Sequence, residues 1–509
     1  MDAQASWTGG TGRGGGTRPD IDVAIIGTGF SGLGIAIALK KAGRHDFRIF
    51  EKADEVGGTW RDNHYPGCAC DVPSHLYSFS FEPNPDWSRM YSPQPEIWRY
   101  LRHCADKYAL RPHIRFGCEI LRAVFDEARA LWVLTDRTGA QTTARVVVSG
   151  MGGLSRPAYP SLPGLEGFQG TSFHSADWNH DYDLAGKRVA VIGTGASAIQ
   201  FVPAIAPHVG QLTLFQRTPP WVLPKADRPV RRWEMALMRA LPPLQYLWRG
   251  AIYCMMESRA YAFTRNVKLM ARVAEMATRH LEQAIPDPVL RARLTPDYTP
   301  GCKRLLISND YYPALNRPNV HVETAGIETV TATGIRTRDG VEHPVDAIIF
   351  GTGFKATDVL SPTEIVGRGG RSLNAEWDRG AAAYLGTVVA GYPNMFFLMG
   401  PNTGLGHNSM VYMIESQIRY VMDALRQLDR RRWRALDVAP AVQAAYNDAL
   451  QGEIAHTVWQ SGCKSWYLTE DGRNPTVWPG FTFSFRRRTR RVDLNDFDHV
   501  SSNPTVAGS

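Results

Sequence analysis

Two stretches of this chain join a short apolar run to a glycine-rich turn and a helical run, and they constrain the fold more than any other feature. The first contains DVAIIGTG from Asp22, and the second contains KRVAVIGTG from Lys187. Each is followed by an apolar stretch of helical character and then by another strand-like run, FRIFE from Phe47 and LTLFQ from Leu212. This order of strand, turn, helix and strand predicts two βαβ units within an α/β fold.

The first glycine-rich turn has the spacing of a dinucleotide-binding loop. Gly27, Gly29 and Gly32 form GxGxxG, in which the glycines allow a tight turn, a close approach of pyrophosphate and close helix–strand packing. The N–H groups at the start of the helix then face the phosphates. Glu51 ends the next strand, where a carboxylate accepts hydrogen bonds from a ribose diol. The sequence therefore predicts a Rossmann-like dinucleotide site here.

The second turn has the same spacing but a different residue after its next strand. Its fingerprint residues are Gly193, Gly195, Ser197 and Ala198, with alanine in the third position. The strand from Leu212 ends in Gln216, Arg217 and Thr218, so no acid stands where Glu51 stands in the first unit. Arg217 and Thr218 offer positive charge and hydrogen-bond donors to a 2′-phosphate, which favours NADP over NAD.

Two dinucleotide sites in one chain imply two redox carriers. Hydride transfer from a nicotinamide to a flavin is the simplest chemistry for such a pair. We expect FAD in the first, N-terminal unit and NADPH in the second. At this level the sequence still permits disulfide reductases, amine or N-hydroxylating monooxygenases and ketone monooxygenases.

A motif just before the second fingerprint separates these classes. Phe168, Gly170, His174 and Trp178 form FxGxxxHxxxW, which resembles the fingerprint of type I Baeyer–Villiger monooxygenases. Asn179 follows, where that family usually has Pro or Asp. Related flavin monooxygenases that oxidise amines or sulfides tend to carry Tyr or Phe in place of the tryptophan. The resemblance implies a ketone monooxygenase, and oxidation of sulfur or nitrogen centres stays open as the alternative.

Further segments carry the same resemblance over about residues 20–495. Residues 57–71 resemble the family's GGxWxxxxYPGxxxD segment, which ends at Asp71. Residues 345–354 resemble its strand ending in ATG, with Gly351 in place of Ala. Lys303-Arg304 resembles its KR segment, and residues 465–467 resemble its C-terminal SWY.

The resemblance implies roles for individual residues. Arg304 would lie over the flavin and stabilise a C4a-peroxide anion, since a guanidinium keeps its proton at any relevant pH. Asp71 would pair with Arg304 and fix its orientation. Lys303 would assist Arg217 at the NADP 2′-phosphate. His174 would orient the linker between the two nucleotide units rather than act as a base. The remaining cofactor contacts expected outside the two fingerprints are Gly58, Thr59, Trp60, Tyr77 and Trp466.

These observations predict a domain arrangement. We expect a flexible tail at 1–19, an FAD-binding domain from 20–155 and 356–509, and an NADPH-binding domain from 156–222 and 296–355. The Met-, Leu- and Arg-rich residues 223–295 read as a helical insertion that packs on the body, with a peripheral membrane contact as the alternative. The expected reaction uses NADPH, FAD and O2 to insert oxygen next to a ketone carbonyl, giving an ester or lactone.

Composition narrows the remaining choices. Apolar residues make up 44% of the chain, and basic residues exceed acidic ones by eight, which indicates a globular protein without a nucleic-acid signature. No apolar run is long enough for a spanning helix, and no metal-ligand spacing is present. Seven scattered cysteines predict no disulfide framework and a reducing, cytoplasmic location.

Three local segments give weaker indications of structure or function. Cys68 and Cys70 could form a redox pair, but CxC rings are strained, so we expect ordinary thiols. By resemblance, the polar loop 402–408 should approach the substrate side of the flavin. The arginine-rich run 486–491 should be a solvated or structural strand of the FAD domain.

Overall fold

The fold was established with a computed structural model that describes residues 18–355, 360, 362–463, 465, 467–469 and 471–501. The strands are β1 (Ile21–Ile26), β2 (Phe47–Phe50), β3 (Ile114–Arg115), β4 (Ile120–Asp126), β5 (Leu131–Asp136), β6 (Gln141–Ser149), β7 (Thr171–His174), β8 (Arg188–Ile192), β9 (Gln211–Phe215), β10 (Val222–Leu223), β11 (Leu306–Ile307), β12 (Val320–Glu323), β13 (Ile327–Val330), β14 (Gly334–Thr337), β15 (Glu342–Pro344), β16 (Ala347–Phe350), β17 (Glu364–Val366), β18 (Met395–Phe397), β19 (Trp433–Val438) and β20 (Phe497–Ser501). The helices are α1 (Phe30–Lys41), α2 (Thr59–Asp62), α3 (Gln94–Lys107), α4 (Ala198–Ile205), α5 (Arg232–Ala240), α6 (Pro242–Ser258), α7 (Ala260–Thr264), α8 (Met270–Ala284), α9 (Pro288–Leu294), α10 (Tyr311–Leu315), α11 (Leu373–Trp377), α12 (Met410–Arg431), α13 (Pro440–Ala455) and α14 (Thr482–Arg488). Most of the predicted tail, residues 1–17, and Trp466 lie outside the described residues.

The first sheet is built around β1, the strand that leads into the first fingerprint. Its strand order is β17-β4-β5-β6-β1-β2-β3, with β18 also paired to β6. β1 runs parallel to β2 and β6, and its last four residues are buried. An apolar run buried on both faces is typical of a parallel strand covered by helices. Helix α1 follows β1 directly and contacts the long helix α12.

The second sheet repeats this arrangement around β8. Its order is β12-β9-β8-β16-β7, and every pairing in it is parallel. The fingerprint turn follows β8, and α4 begins at Ala198. In both sheets the glycine-rich turn therefore lies at the carboxyl end of a central strand, where open α/β sheets bind ligands. The predicted α/β class with two βαβ units is confirmed, and the first sheet is mixed, because β5 pairs antiparallel with β4 and β6.

The chain enters the first sheet twice. Its strands come from residues 21–149 and 364–397, whereas those of the second sheet come from residues 171–350. Helices α5 to α9 occupy most of residues 223–295. The exact domain boundaries stay a prediction.

Two expectations were wrong. The run from Arg486 begins inside helix α14 instead of a strand. Cys302 and Cys463 form a disulfide although they are 161 residues apart, with Cα atoms 6.2 Å apart. The other five cysteines are free thiols, and the cytoplasmic location stays a prediction. No helix in the described part of the chain is both long and apolar enough to cross a bilayer.

Candidate active site

The first fingerprint forms a backbone cradle at the end of β1. Helix α1 begins at Phe30 with Gly29 as its N-cap, and neither a side-chain cap nor an acidic residue in the first turn occupies its N–H groups. Those groups are therefore available to an anion. Gly27 has φ +94°, and a Cβ there would lie 2.8 Å from the carbonyl oxygen of Gly150. A Cβ on Gly32 would lie 1.9 Å from the carbonyl oxygen of Gly27, so only glycine fits.

A second glycine turn faces this cradle. Gly58 has φ +51°, and a Cβ on it would lie 3.1 Å from the Cα of Gly29. Thr59 and Trp60 follow as the first turn of α2, and the Trp60 indole N–H donates to the hydroxyl of Tyr77 at 3.1 Å. Burial raises the pKa of Tyr77 well above its ordinary value, so its hydroxyl keeps its proton. The predicted residues of this segment are thus brought beside the first fingerprint.

Glu51 is buried at the end of β2 and is held by several donors. Its Oε2 accepts hydrogen bonds from the Thr28 amide at 3.0 Å and from the Thr28 hydroxyl at 2.5 Å. Its Oε1 accepts from the Ala53 amide at 3.0 Å and pairs with Arg61 at 3.1 Å. The carboxylate therefore lies beside the first fingerprint, held by Thr28 of that turn.

The second fingerprint forms a more open turn after β8. Gly193 has φ +108°, and a Cβ on it would lie 2.4 Å from the carbonyl oxygen of Gly351. Gly195 is exposed, and the nearest atom to a Cβ there would be 3.8 Å away. Ser197 is the N-cap residue of α4, its side chain makes no capping hydrogen bond, and no acid lies in the first turn. Ala198 is buried and would meet a Cβ on Gly351 at 3.2 Å.

Two cations stand beside this second turn. Arg217 is exposed after β9, and Lys303 is close enough that burial first and then the Arg217 charge lower the Lys303 pKa. Within the described residues, no carboxylate lies at ion-pair distance from either side chain. The Thr194 hydroxyl donates to the Thr218 carbonyl at 3.0 Å, which ties the fingerprint to this segment. The arrangement suits a phosphate more than a hydroxyl.

Asp71 and Arg304 form an ion pair between segments that are 233 residues apart in the sequence. The Arg304 Nε donates to Asp71 Oδ2 at 3.1 Å, and the Arg304 Nη2 donates to the same oxygen. About a third of each side chain is accessible, 31% for Asp71 and 37% for Arg304. Burial raises the pKa of Asp71, but the charge and hydrogen bonds of Arg304 outweigh it, and the net direction is downward. The Asp71 charge in turn raises the pKa of Arg304, so both groups stay charged at neutral pH.

The short strands β10 and β11 position the Arg304 side of the Asp71–Arg304 pair. Arg304 lies just before β11, which pairs in parallel with β10. Lys225 follows β10, and its backbone exchanges two hydrogen bonds of 2.8 Å with the Asn309 side chain. Burial lowers the pKa of Lys225, and the charge of Asp71 opposes that shift. Tyr467 is buried within electrostatic reach of Arg304. Sequence reasoning did not single out Lys225, although it lies only 79 residues before the predicted arginine.

The YPG segment that leads to Asp71 lies on the helix of the second fingerprint. The Tyr65 hydroxyl donates to Gln200 Oε1 at 2.9 Å, and Gln200 Nε2 donates to the Ala69 carbonyl at 2.9 Å. A Cβ on Gly67 would lie 2.6 Å from the Gln200 carbonyl oxygen. Gln200 therefore joins the two nucleotide units, and sequence reasoning missed it because the contact spans 131 residues.

The His and Trp side chains of the FxGxxxHxxxW segment are buried against other protein groups. His174 is fully buried, and its Nδ1 accepts from the Ala176 amide at 3.0 Å. Trp178 packs edge-on against Phe173 and tilted against Phe201 of α4. The orienting role of His174 stays a prediction. Near the end of the segment, His180 meets His64 of the first unit at 2.8 Å.

The two cysteines of the CxC stretch are buried free thiols. Burial raises the pKa of Cys68 to about 12 and moves that of Cys70 higher still. Since only a thiolate attacks a disulfide, neither is prepared for redox chemistry at neutral pH. Among the described residues, no cluster of three or more His, Cys, Asp or Glu could hold a metal.

The loop 402–408 is anchored rather than free. Asn402 is buried and donates to the carbonyls of Asn474 at 2.7 Å and Val477 at 3.0 Å. Asn408 donates to the buried carboxylate of Glu257 in α6 at 2.5 Å. The loop therefore joins the C-terminal segment to the helical insertion.

Comparisons with known proteins agree with this geometry. A family model described as flavin-binding monooxygenase-like matches residues 20–359. A Baeyer–Villiger monooxygenase from Pseudomonas aeruginosa is 57% identical over 95% of this chain and 92% of its own length. The crystal structure of cyclohexanone monooxygenase from Rhodococcus sp. Phi1 bound to NADP+ superposes with a TM-score of 0.84, at 31% identity over 95% of this chain and 99% of that chain. The OTEMO complex with FAD and NADP gives a TM-score of 0.86, at 28% identity over 95% and 100%.

Proposed function

The chain belongs to the flavin-binding monooxygenase-like family, and we propose that within it the chain is an FAD- and NADPH-dependent Baeyer–Villiger monooxygenase. The overall reaction converts a ketone, O2, NADPH and a proton into an ester or lactone, NADP+ and water. The observation that carries this proposal is the Asp71–Arg304 pair, in a chain that has one glycine cradle beside a carboxylate and another beside two cations.

The residues present fit both cofactors. Around the first fingerprint, a Cβ on Gly27 or Gly32 would overlap backbone, which leaves a smooth surface of N–H groups for a pyrophosphate. Glu51 would accept hydrogen bonds from the adenosine ribose of FAD. At the second fingerprint, Arg217 and Lys303 would hold the 2′-phosphate of NADPH. Once bound and reduced by NADPH, the flavin would supply the two electrons that activate O2.

Arg304 supplies a fixed positive charge where negative charge develops. Its guanidinium would stabilise the alkoxide oxygen that forms when the carbonyl carbon is attacked, without giving up its own proton. Asp71 accepts two hydrogen bonds from Arg304 and holds its plane in one orientation. Gln200 keeps the segment that carries Asp71 seated on the NADPH unit. We propose these roles for the two units and for the named residues, together with a ketone as the substrate.

The test removes the charge and leaves the cradles intact. We expect Arg304→Ala to keep bound FAD and its bleaching by NADPH, while ester formation from a ketone falls about 100-fold or more, the usual cost of losing one oxyanion-type donor. The matched control is Arg122→Ala, which removes an exposed arginine that pairs with Glu364 in the first sheet. Ester formation at the wild-type rate in Arg304→Ala would refute the assigned role. Parallel assays with a sulfide separate ketone oxidation from sulfur oxidation.

The pH dependence of this site follows from the direction of the Asp71 shift. The folded-state pKa of Asp71 is lowered, so the carboxylate is charged throughout the range above its ordinary value of about 4. We expect no acid limb from this group between about pH 5 and 8 in the ester-forming rate, and loss of the pair only as the pH falls below about 4. An acid limb above pH 5 that disappears in Asp71→Asn would contradict this.

A further inference from the structure

Helices α5 and α6 expose an apolar surface that the monooxygenase chemistry does not use. We define the α5–α6 surface as Trp233, Leu237, Leu241, Leu247, Trp248 and Met255, all of them exposed. Leu247 is 71% exposed and Trp233 is 59% exposed. Scattered single leucines on a protein surface need no explanation, but six large apolar side chains within two consecutive helices do.

The spacing shows that each helix presents an apolar face outward. In α5 the exposed positions Trp233, Ala236, Leu237 and Ala240 recur at helical spacing, while Met238 points inward and is buried. In α6 the exposed apolar positions include Leu247, Ala251 and Met255, one turn apart. The neighbouring side of α6, about 100° around the helix, buries Ile252 and Met256 in the main core. The outward face is therefore fixed by packing of the inward one.

The segment that carries this surface is rich in positive charge. Residues 231–272 contain eight Lys or Arg and two acids, a net charge of +6 in a chain whose total is +8. Arg249 points inward and donates to the His75 carbonyl, and Arg239 pairs with Asp86, whereas the other six cations are exposed. The two acids of the segment are both engaged. Glu234 is paired with Arg228 at 2.7 Å, and Glu257 is buried against Asn408 and Thr482.

From this juxtaposition we propose that the α5–α6 surface seats the enzyme on an anionic lipid surface as a peripheral, non-spanning attachment. Apolar side chains, tryptophans and surrounding arginines are the combination that interfacial helices use, with the apolar face in the headgroup region and the cations at the lipid phosphates. A second copy of this chain fits less well, because a two-fold contact would bring two surfaces of the same strong positive charge together. The proposal does not depend on the reaction proposed above.

The α5–α6 surface has a structural link to loop 402–408. The buried side of α6 carries Glu257, whose carboxylate accepts from Asn408 Nδ2 and from the Thr482 amide, both at 2.5 Å. The helix that lies on the lipid is therefore bonded on its inner side to loop 402–408. An apolar ketone dissolved in the same lipid would meet the enzyme on this side.

The experiment is co-sedimentation of the FAD-loaded enzyme with vesicles of phosphatidylcholine alone and of phosphatidylcholine mixed with phosphatidylglycerol. We expect sedimentation with the anionic vesicles only, release by added salt, and at least a tenfold loss of binding in Leu247→Glu. The matched control is Val341→Glu, which places the same charge at an exposed apolar residue between β14 and β15. Flavin content and NADPH oxidation should be unchanged in both variants, which shows that they fold.

Three results would overturn the proposal. One is equal sedimentation with neutral and anionic vesicles, and another is wild-type binding by Leu247→Glu. The third is concentration-dependent self-association that Leu247→Glu abolishes in a protein that does not bind vesicles, since the surface would then be an interface between copies. A failure of ester formation leaves all three readouts untouched, so the two proposals can fail separately.

Discussion

The two nucleotide clefts are built on one plan and differ at two places. In each, the first fingerprint glycine lies against the glycine that ends a neighbouring strand, Gly27 against Gly150 and Gly193 against Gly351. They differ in the third fingerprint position, glycine in the first cleft and alanine in the second. They differ also after the next strand, where Glu51 is buried in the first cleft and Arg217 is exposed in the second.

This difference shows that backbone shape and side-chain charge have separate roles in binding a dinucleotide. The shared glycine geometry makes room for a pyrophosphate in both clefts, so it cannot distinguish one dinucleotide from another. The side chain after the second strand of each unit can distinguish them. The buried carboxylate of the first cleft accepts hydrogen bonds from hydroxyls, whereas the two cations of the second cleft attract a phosphate. The first cleft is closed and tightly packed, and the second is open at Gly195.

The largest effect should come from breaking the tight packing of the first cleft. Gly32→Ala places a Cβ 1.9 Å from the Gly27 carbonyl oxygen, so the backbone must move. We expect loss of bound FAD and a loss of unfolding free energy of at least about 3 kcal/mol, at the upper end of overpacking costs. Flavin content after purification and thermal unfolding measure both.

The control for this substitution is Gly452→Ala in α13, where a Cβ would meet nothing within 4 Å. That variant should retain its flavin and gain up to about 1 kcal/mol, because alanine is a better helix former than glycine. Retention of flavin by Gly32→Ala would show that the first cleft is not as rigid as its packing indicates.

An intermediate effect should come from the charges of the second cleft. Replacing Arg217 or Lys303 by alanine removes a charged hydrogen-bond donor, worth about 1.5–3 kcal/mol. We expect the KM for NADPH to rise about 10- to 100-fold, with the KM for NADH and the maximal rate of flavin reduction nearly unchanged. Stopped-flow reduction with both nucleotides gives these values.

Lys187→Ala serves as the control, since this exposed lysine lies just before β8, at the opposite end of the strand from the fingerprint. It should alter neither KM. An equal rise in the KM for NADPH and NADH in the Arg217 variant would show that the cation binds a part common to both nucleotides, and would remove the proposed basis of discrimination.

The smallest effect should come from the third fingerprint position of the second cleft. A Cβ on Gly351 would lie 3.2 Å from the Ala198 Cβ and 3.4 Å from the Phe201 ring, a crowded contact rather than an overlap. We expect Gly351→Ala to cost about 1 kcal/mol of unfolding free energy, at the low end of overpacking. Combining it with Ala198→Gly should recover part of that loss.

A double-mutant cycle over these two positions measures the coupling directly. A coupling energy near zero would mean that the two substitutions change the free energy of unfolding independently of each other. A favourable coupling of some tenths of a kcal/mol would mean that glycine at 351 makes room for alanine at 198.

The sequence predicted those parts of the site that lie within one unit. The glycines, Glu51 and Arg217 each stand at a fixed distance from a strand end, so a local pattern is enough to place them. The pairing of Asp71 with Arg304 spans 233 residues and came from a family resemblance, because no local pattern contains it. Gln200 was missed for the same reason, since its partners Tyr65 and Ala69 belong to the other unit.

Two of the sequence predictions failed because contacts between distant parts of the chain decide the structure there. The arginine run from Arg486 has the composition of a solvated segment, but Glu257 accepts from the amide and hydroxyl of Thr482 and so stabilises the first turn of α14. Arginines in the last turn of that helix are also favourable for its dipole. The pairing of Cys302 with Cys463 could not be predicted, because nothing in the spacing of scattered cysteines brings two of them together.

That bond turns the stretch between Cys302 and Cys463 into a closed ring of polymer. The ring contains β12 and β16 of one sheet and β17 and β18 of the other, so it encircles parts of both units. A protease cut anywhere within it leaves one covalent molecule, which separates into two pieces only on reduction. With its two cysteines 161 positions apart in the sequence, such a ring lowers the entropy of the unfolded chain by an amount worth about 5 kcal/mol in the chain-entropy picture. In that picture a reducing agent destabilises the protein by giving conformational freedom back to the denatured chain.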